Sequence, residues 1–480
     1  MADCLLDLFS PPQSSLNHDD CMRTFSDAGI YVIIDLGLPL NGSINRADPS
    51  WDIGLQSLYI DTLDAFMGYD NLLAVGVGNE VVTLNSNTNA APFVKAAARD
   101  TKAYLASKDK SNILVTYSGA DAPSGSDGRR KLLADFLTCG SEELSLDLYG
   151  HNSYAWCGSS SLDNSGYATL ADDFASLPVP AYFSEFGCVQ DDPADRTWQE
   201  VGALFAPPMT EPFSGGSAFT FFPKDPAAEG KDYGLTTLSA DGTPIPSAGF
   251  DRLKAAYAAV SPPTSAGNAA APAYPECDVS SDDFQASATL PPTPDVDLCN
   301  CYVSNAFSCI ARGSKTPAVL GVLQGQACGY ILQQGGDCSE LITNGQTGTY
   351  GNVSFCSQTQ RLDWAFSRFY ELTDRNQQSC DFAGNATINR LSTPQGSSTP
   401  TMLDAMASCR AENPIGTSVP ESADSVNTQT RVGSGSSGAT DSSSGNDNGV
   451  RATASSSSLA ILVAVAMTAS LAVCGGLSIL

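Results

Sequence analysis

The feature that most constrains this chain is a regular alternation of strand-like and helix-like runs over its first half. Six short runs are β-rich and almost continuously apolar: Ile30–Asp35 (IYVIID), Leu72–Gly78 (LLAVGVG), Ile113–Tyr117 (ILVTY), Leu144–Tyr149 (LSLDLY), Pro180–Ser184 (PAYFS) and Ser217–Phe222 (SAFTFF). Runs of this kind suit strands buried on both faces, as in a parallel sheet. Between them the apolar residues change to helical spacing. Leu55, Tyr59, Leu63 and Phe66 share one face, and Phe93, Ala97, Thr101 and Tyr104 share another after Pro92, which suits a first helical turn. Arg129–Leu137, Thr197–Phe205 and Ala248–Val260 continue the pattern. The alternation predicts an α/β fold with a parallel sheet, either a barrel or a doubly wound sheet. No glycine-rich phosphate loop follows any run, which argues against a nucleotide-binding sheet.

Two of these runs lead into a carboxylate. Glu80 closes LLAVGVGNE, and Glu185 stands in VPAYFSEFGC. A carboxylate where a buried strand meets the surface is costly unless it is paired or used. Satisfaction by neighbouring backbone amides is the bland account of either one alone. A pair at the carboxyl ends of two barrel strands is how a glycosidase supplies an acid/base and a nucleophile.

Charge and cysteine content narrow the setting. The 480 residues carry 24 Lys+Arg against 52 Asp+Glu, a net charge of −28, which disfavours nucleic acid and anionic headgroups as partners. Fifteen cysteines indicate an oxidising compartment. Eight of them crowd together: Cys299, Cys301, Cys309, Cys328, Cys338, Cys356, Cys380 and Cys409. With two histidines and no paired C-x-x-C knuckles, no metal is expected, and disulfides are the default. No cofactor is expected either. Sequons at Asn41, Asn352 and Asn385 agree with secretion and glycosylation.

The expected organisation has six parts. Residues 1–16 form a divergent N-terminus; MADCLLDLFSPPQ lacks the basic region and apolar length of a signal peptide. Residues 17–260 form the α/β domain. Residues 261–291, rich in Pro, Ala and Ser, read as a linker. Residues 292–410 form an eight-cysteine module that relies on bridges for stability. Residues 411–458 read as a Ser-rich, disordered stalk. Leu459–Leu480 is an uncharged, apolar-rich tail after a small-residue spacer, the pattern of a GPI-anchor signal with attachment at Asn448 or a nearby Ser or Gly. A transmembrane helix is the competing account, though it would usually carry flanking basic residues.

The ordered motifs HDDCM, DAGIYVIIDL, SINRADPSWD, VGNEV, TNAAPFVKAAARD, YGHNSYAWCG, YFSEFGC, FSGG and DYGL resemble glycoside hydrolase family 72, the fungal β-1,3-glucanosyltransferases, from about His18 to Val260. The eight-cysteine region resembles carbohydrate-binding module family 43, most clearly at Asn344–Cys356. The resemblance implies a (β/α)8 TIM barrel with a small, disulfide-rich, mainly helical module behind it. Only six strands are read, and the stretch ahead of Ile30 is too short for two βα units, so the first one or two units are expected to be missing. The resemblance further implies Glu80 as acid/base, Glu185 as nucleophile, and Asp35, Asn79, Asn152 and Tyr154 as substrate-binding or partner residues. It pairs Cys157 with Cys188 and Cys139 with Cys277, and leaves Cys21 without its family partner. The module's four bridges keep an open connectivity.

Some positions depart from the family pattern. Its usual Glu after Tyr154 is Ala155, and its Tyr-x-Tyr-Phe is Phe219-Thr220-Phe221-Phe222, which keeps stacking faces and loses hydroxyls. An acidic position in the loop after the first visible strand is Leu38. Tyr117, Tyr154 and Trp156 are candidate aromatic platforms for an acceptor, core packing being the alternative for each. His151 reads as a packed strand residue.

The implied reaction is retaining cleavage of β-1,3-glucan and transfer to a second β-1,3-glucan chain. The implied protein is monomeric, secreted and GPI-anchored to the outer face of the plasma membrane or cell wall. Two alternatives stand beside it: an inactive glucan-binding wall protein, and a hydrolytic endo-β-1,3-glucanase.

Overall fold

A computed structural model describes residues 16–37, 43–121, 128–190, 195–223, 231–262, 273–277, 281–390, 400–416 and 418–422. Residues 1–15, Leu38, the Asn41 sequon, Asn448 and the Leu459–Leu480 tail lie outside them.

Six parallel strands form one sheet: β1 (Val32–Asp35), β2 (Leu72–Asn79), β3 (Leu114–Gly119), β4 (Leu148–Ser153), β5 (Ala181–Phe186) and β6 (Phe213–Ala218). Their spatial order follows the chain without reversal, β1 to β6, each parallel to the next. A singly wound order of this kind belongs to a (β/α) barrel, since a doubly wound sheet reverses at a switch point. Among the described residues β1 and β6 are the two edges of the sheet.

Helices cover the outside because their apolar stripes match the sheet. In Ile53–Phe66, capped by Asp52 accepting from Leu55 N, the residues Tyr59, Leu63 and Phe66 are buried. In Ala91–Ser107, Phe93 and Ala97 are fully buried, and Pro92 occupies the first turn as expected. Lys95 of this helix is also buried. Its Nζ donates to Phe136 O and Cys139 O at 2.9 Å each, satisfying carbonyls at the end of the helix Arg129–Leu137. Burial pushes its ammonium down to about 7.

Two strands sit away from their apolar runs. β4 covers Leu148–Ser153 instead of Leu144–Tyr149, and β6 covers Phe213–Ala218 instead of Ser217–Phe222. β4 carries the polar stretch Gly150-His151-Asn152-Ser153 into the interior, where Asn79, Glu80 and Ser184 engage Asn152 and Asp121 engages Ser153. The glycines of β6 hide its strand character, and the aromatic run after it is loop. The helices Asp19–Asp27 and Tyr167–Phe174 were not anticipated.

A second apolar core lies in the cysteine-rich region. Its helices are Val296–Asn305, Pro317–Gln333, Gln358–Leu372 and Met402–Glu412. The expected boundary at 410 therefore falls inside the last helix. The four bridges join Cys299 to Cys356, Cys301 to Cys409, Cys309 to Cys380 and Cys328 to Cys338.

The two cores meet. Ile53 of the barrel helix is buried in the second core, and its N–H donates to Phe355 O at 2.9 Å. Arg361 pairs with Asp52 at 3.0 Å. Within the stretch read as a linker, Cys277 is bonded to Cys139, and residues 281–291 are fastened to the barrel. Asn352 Nδ2 donates to Glu340 Oε2 at 2.7 Å and Asn385 Nδ2 to Phe382 O at 2.9 Å, so both sequon amides are engaged locally. Among the described residues, no helix is long and apolar enough to cross a membrane, and no three His, Cys, Asp or Glu residues are grouped to hold a metal.

Candidate active site

The carboxyl ends of β2, β4 and β5 converge on one amide. Asn152, at the end of β4, is 1% exposed. Its Nδ2 donates to Glu80 Oε1 at 2.9 Å and to Asn79 Oδ1 at 3.0 Å. Its Oδ1 accepts from Ser184 Oγ of β5 at 2.7 Å, which fixes which end of the amide faces Glu80. Both Asn152 hydrogens are thereby committed to the protein. The residue orients Glu80 and Asn79. In the β4–β5 register Asn152 stands opposite Glu185, so both glutamates flank one strand position.

Glu185 is the penultimate residue of β5 and is 9% exposed. Tyr154, just past β4, donates its hydroxyl to Glu185 Oε2. Burial, then the Glu185 charge, pushes the Tyr154 hydroxyl far above its usual range, so it stays a donor at every working pH.

Glu80 is held differently. It lies one residue beyond β2 with φ at +50°, in the left-handed region that a non-glycine side chain adopts at a cost of about 1 kcal/mol. Its N–H donates to Ser118 O at 2.8 Å, and its carbonyl accepts from Arg46 at 2.8 Å. The second Arg46 nitrogen reaches Thr83 Oγ1 at 3.3 Å. Arg46 lies within SINRADPSWD, but nothing in a single sequence marks it as the group that holds this peptide.

One wall of the site is aromatic. Tyr154 meets Phe219 and Tyr233 edge-on, with ring centroids 6.1 and 5.5 Å away, and Phe219 and Tyr233 are 5.5 Å apart. Arg196 holds this wall from behind, donating to Phe219 O and Tyr233 O at 2.7 Å each. Its guanidinium lies 4.5 Å from the Trp198 ring centroid. Gly187 lets Trp198 approach: with φ at +116°, a β-carbon there would fall 2.7 Å from the indole. The Cys157–Cys188 bridge ties the loops that follow Tyr154 and Glu185. Cys21 is likewise disulfide-bonded.

Other expected residues stand apart from the Asn152 hub. Asp35, the last residue of β1, is level with Gly76 and so sits deeper than Asn79. Burial raises its carboxyl to about 7. Tyr117 is fully buried and accepts from Val82 N at 3.2 Å, so it supports the loop after Glu80 and offers no face to an acceptor. Trp156 packs edge-on against Tyr167, with centroids 5.2 Å apart. His151 is fully buried, with Nε2 3.5 Å from Asp121.

A parallel barrel sheet with two glutamates at the carboxyl ends of β2 and β5, one held by an amide and one by a tyrosine, defines a glycosidase-type catalytic domain. Residues 12–261 match the glucanosyltransferase family of glycoside hydrolases, family 72, and residues 307–387 match the X8 domain. The chain belongs to glycoside hydrolase family 72. It is 38% identical over 380 residues to protein EPD2 of Candida maltosa, covering 78% of this chain and 65% of that one. It is 36% identical over 387 residues to 1,3-beta-glucanosyltransferase gas1 of Schizosaccharomyces pombe, covering 80% and 67%. The chain thus spans about two thirds of the length of these curated relatives. Among solved structures, Saccharomyces cerevisiae Gas2p in complex with laminaritetraose and laminaripentaose matches with a TM-score of 0.70 and 31% identity, over 83% of this chain and 84% of that one.

Proposed function

We propose that this chain is a β-1,3-glucanosyltransferase, working by retaining double displacement. The observation that carries the reading is the Asn152 hub, which fastens Glu80 through its carboxylate and stands in register with Glu185. Glu185 attacks the anomeric carbon of a β-1,3-glucan while the Glu80 carboxylic acid delivers its proton to the departing glycosidic oxygen. The glycosidic bond breaks, and an ester to Glu185 forms. Tyr154 keeps Glu185 oriented throughout. Glu80, now a carboxylate, takes the proton from the 3-hydroxyl of an acceptor glucan, whose oxygen displaces Glu185 and forms a new β-1,3 bond. Retention requires the two carboxyl groups to lie about 5–5.5 Å apart.

Asn79 accepts from Asn152 through its Oδ1, which leaves its own NH2 to donate to the sugar beside the scissile bond. Transfer outcompetes hydrolysis where an acceptor is held better than water, and the Tyr154–Phe219–Tyr233 wall supplies apolar faces for one. Six disulfides among the described residues and the apolar-rich Leu459–Leu480 segment support a secreted, GPI-anchored protein at the plasma membrane or cell wall.

Incubation with reduced laminarioligosaccharides tests the reading. Products longer than the substrate are expected. Shorter products alone identify a glucanase, and unchanged substrate identifies a binding protein; either overturns the transferase. Glu80→Gln and Glu185→Gln should each reduce turnover by at least about a thousandfold.

A further inference from the structure

Glu80 is carried by a loop whose outer side is not held by the barrel. Between Glu80 and the helix Ala91–Ser107 the chain passes through the turn Asn85–Ala90. The inner side of this loop rests on Tyr117 and Arg46, and Asn87 Oδ1 accepts from Thr83 N and Leu84 N at 3.1 and 2.9 Å. Its outer side is fastened by residues far away in the chain. Asn85 Nδ2 donates to Asp283 Oδ1 at 3.1 Å, and Gln285 N donates to the buried Thr88 Oγ1 at 2.8 Å. Gly345 packs so tightly on Asn89 that an added β-carbon would fall 2.0 Å from Asn89 O.

The fastening segment is itself anchored at both ends. Ser287 N donates to Gly345 O at 2.8 Å and Tyr350 Oη to Thr289 O at 3.1 Å, joining it to the short hairpin of Thr343–Asn344 and Thr349–Tyr350. Phe93, in the first turn after the loop, meets Tyr350 edge-on with centroids 5.7 Å apart. At the far end Thr293 Oγ1 donates to Asp100 Oδ1 at 2.7 Å. Asp100, 2% exposed, also accepts from Trp51 Nε1 and Arg99.

We propose that residues 281–293 and the module's hairpin form a positioning device for the acid/base loop, so that the cysteine-rich module takes part in proton transfer to the leaving group. A left-handed non-glycine residue persists where its surroundings over-determine it. Ser118, Arg46 and Asn152 hold Glu80 directly, and the module side acts on it through Asn85, Thr88 and Asn89 of the same loop. The inference rests on the assignment of Glu80 as acid/base.

Three variants loosen the outer side: Asp283→Ala removes an exposed partner of Asn85, Gly345→Ala pushes the hairpin from Asn89, and Thr88→Val removes the Gln285 acceptor together with that hydroxyl's own bond to Asn85 O within the loop. With laminarihexaose, kcat should fall about tenfold in Thr88→Val and Gly345→Ala, with KM within about twofold, because a misplaced acid slows chemistry more than binding. Asp283→Ala should move in the same direction and, being at the surface, leaves folding intact. The first-turnover burst of dinitrophenol from 2,4-dinitrophenyl β-laminaribioside should be unchanged, since departure of that leaving group needs no proton, whereas later turnovers again need Glu80 as base. Arg361→Ala, which cuts the Asp52 contact away from the loop, should lower the melting temperature and leave kcat unchanged.

Equal slowing on both substrates, no slowing on either, or an equal loss of kcat in Arg361→Ala would overturn the positioning role. Glu80→Gln separates the two levels. If it retains activity on laminarihexaose, the acid/base assignment itself is lost. If it is inactive while the loop variants match the parent, only the positioning device is lost.

Discussion

Asn152 shows how one buried amide can order a pair of carboxylates. Its three hydrogen-bonding groups are all used, so its orientation depends on Ser184. Ser184→Ala leaves the Asn152 carbonyl unsatisfied in the interior, at a cost of about 1–3 kcal/mol. A lower urea midpoint is expected, with a fall in kcat larger than any change in KM; unchanged kcat would show that the amide holds its orientation without Ser184. Asp35 makes a prediction of opposite character. Burial raises its carboxyl to about 7, so between roughly pH 4 and 7 the folded protein holds a proton the unfolded chain has released. Its contribution to stability is greatest below that window and is lost as the pH rises through it. Asp35→Asn should therefore raise the melting temperature more at pH 8 than at pH 4, and an equal change at both would refute the burial account. At this scale the two glutamates were legible because an acid at the end of an apolar run is conspicuous. Ser184, Arg46 and Tyr233 were not, because serines, arginines and tyrosines in loops have many ordinary uses and only the fold brings these three together.

Among the elements, β1, β2, β3 and β5 could be read within a few residues because their apolar runs are the strands themselves. β4 and β6 could not. Interior polar residues and glycines carry no period-two or apolar signature when their partners lie on other strands. The run Ser217–Phe222 overlaps β6 only at Ser217 and Ala218, and its phenylalanines lie in the loop beyond, where Phe219 joins the wall and Phe222 is buried. The turn after β5 is where an element meets the site, and Gly187 governs it. An alanine there must adopt φ near +116° and displace Trp198, so Gly187→Ala should cost about 2–4 kcal/mol by urea denaturation. Trp198 stacks on Arg196, and Arg196 fixes the carbonyls of Phe219 and Tyr233. A raised KM for the acceptor should accompany the stability loss. Loss of stability with an unaltered acceptor KM would mean that the wall is held by other contacts.

For the molecule as a whole, the division into an α/β part and a cysteine-rich part was visible in composition, but the contact between them was not. A Pro-, Ala- and Ser-rich segment looks like a spacer unless its partners are known, and here Cys277, Asp283, Gln285 and Thr293 fasten it to the barrel. The module's core borrows Ile53 from a barrel helix and accepts its N–H at Phe355 O. Stability should therefore pass across the boundary. The Cys301–Cys409 bridge joins the helices Val296–Asn305 and Met402–Glu412 across a sequence separation of 108 residues, which makes it the module bridge with most to lose on removal. The double variant Cys301→Ser/Cys409→Ser should destabilise the module by about 2–5 kcal/mol. In hydrogen exchange, protection should fall in the module helices and also at the start of the helix Ile53–Phe66 and in the turn Asn85–Ala90, where the module side supplies the contacts. β4 and β5, which are buried within the barrel, should keep theirs. Loss confined to the module would show two units that merely touch, and loss spread evenly over the barrel strands would show a single cooperative unit.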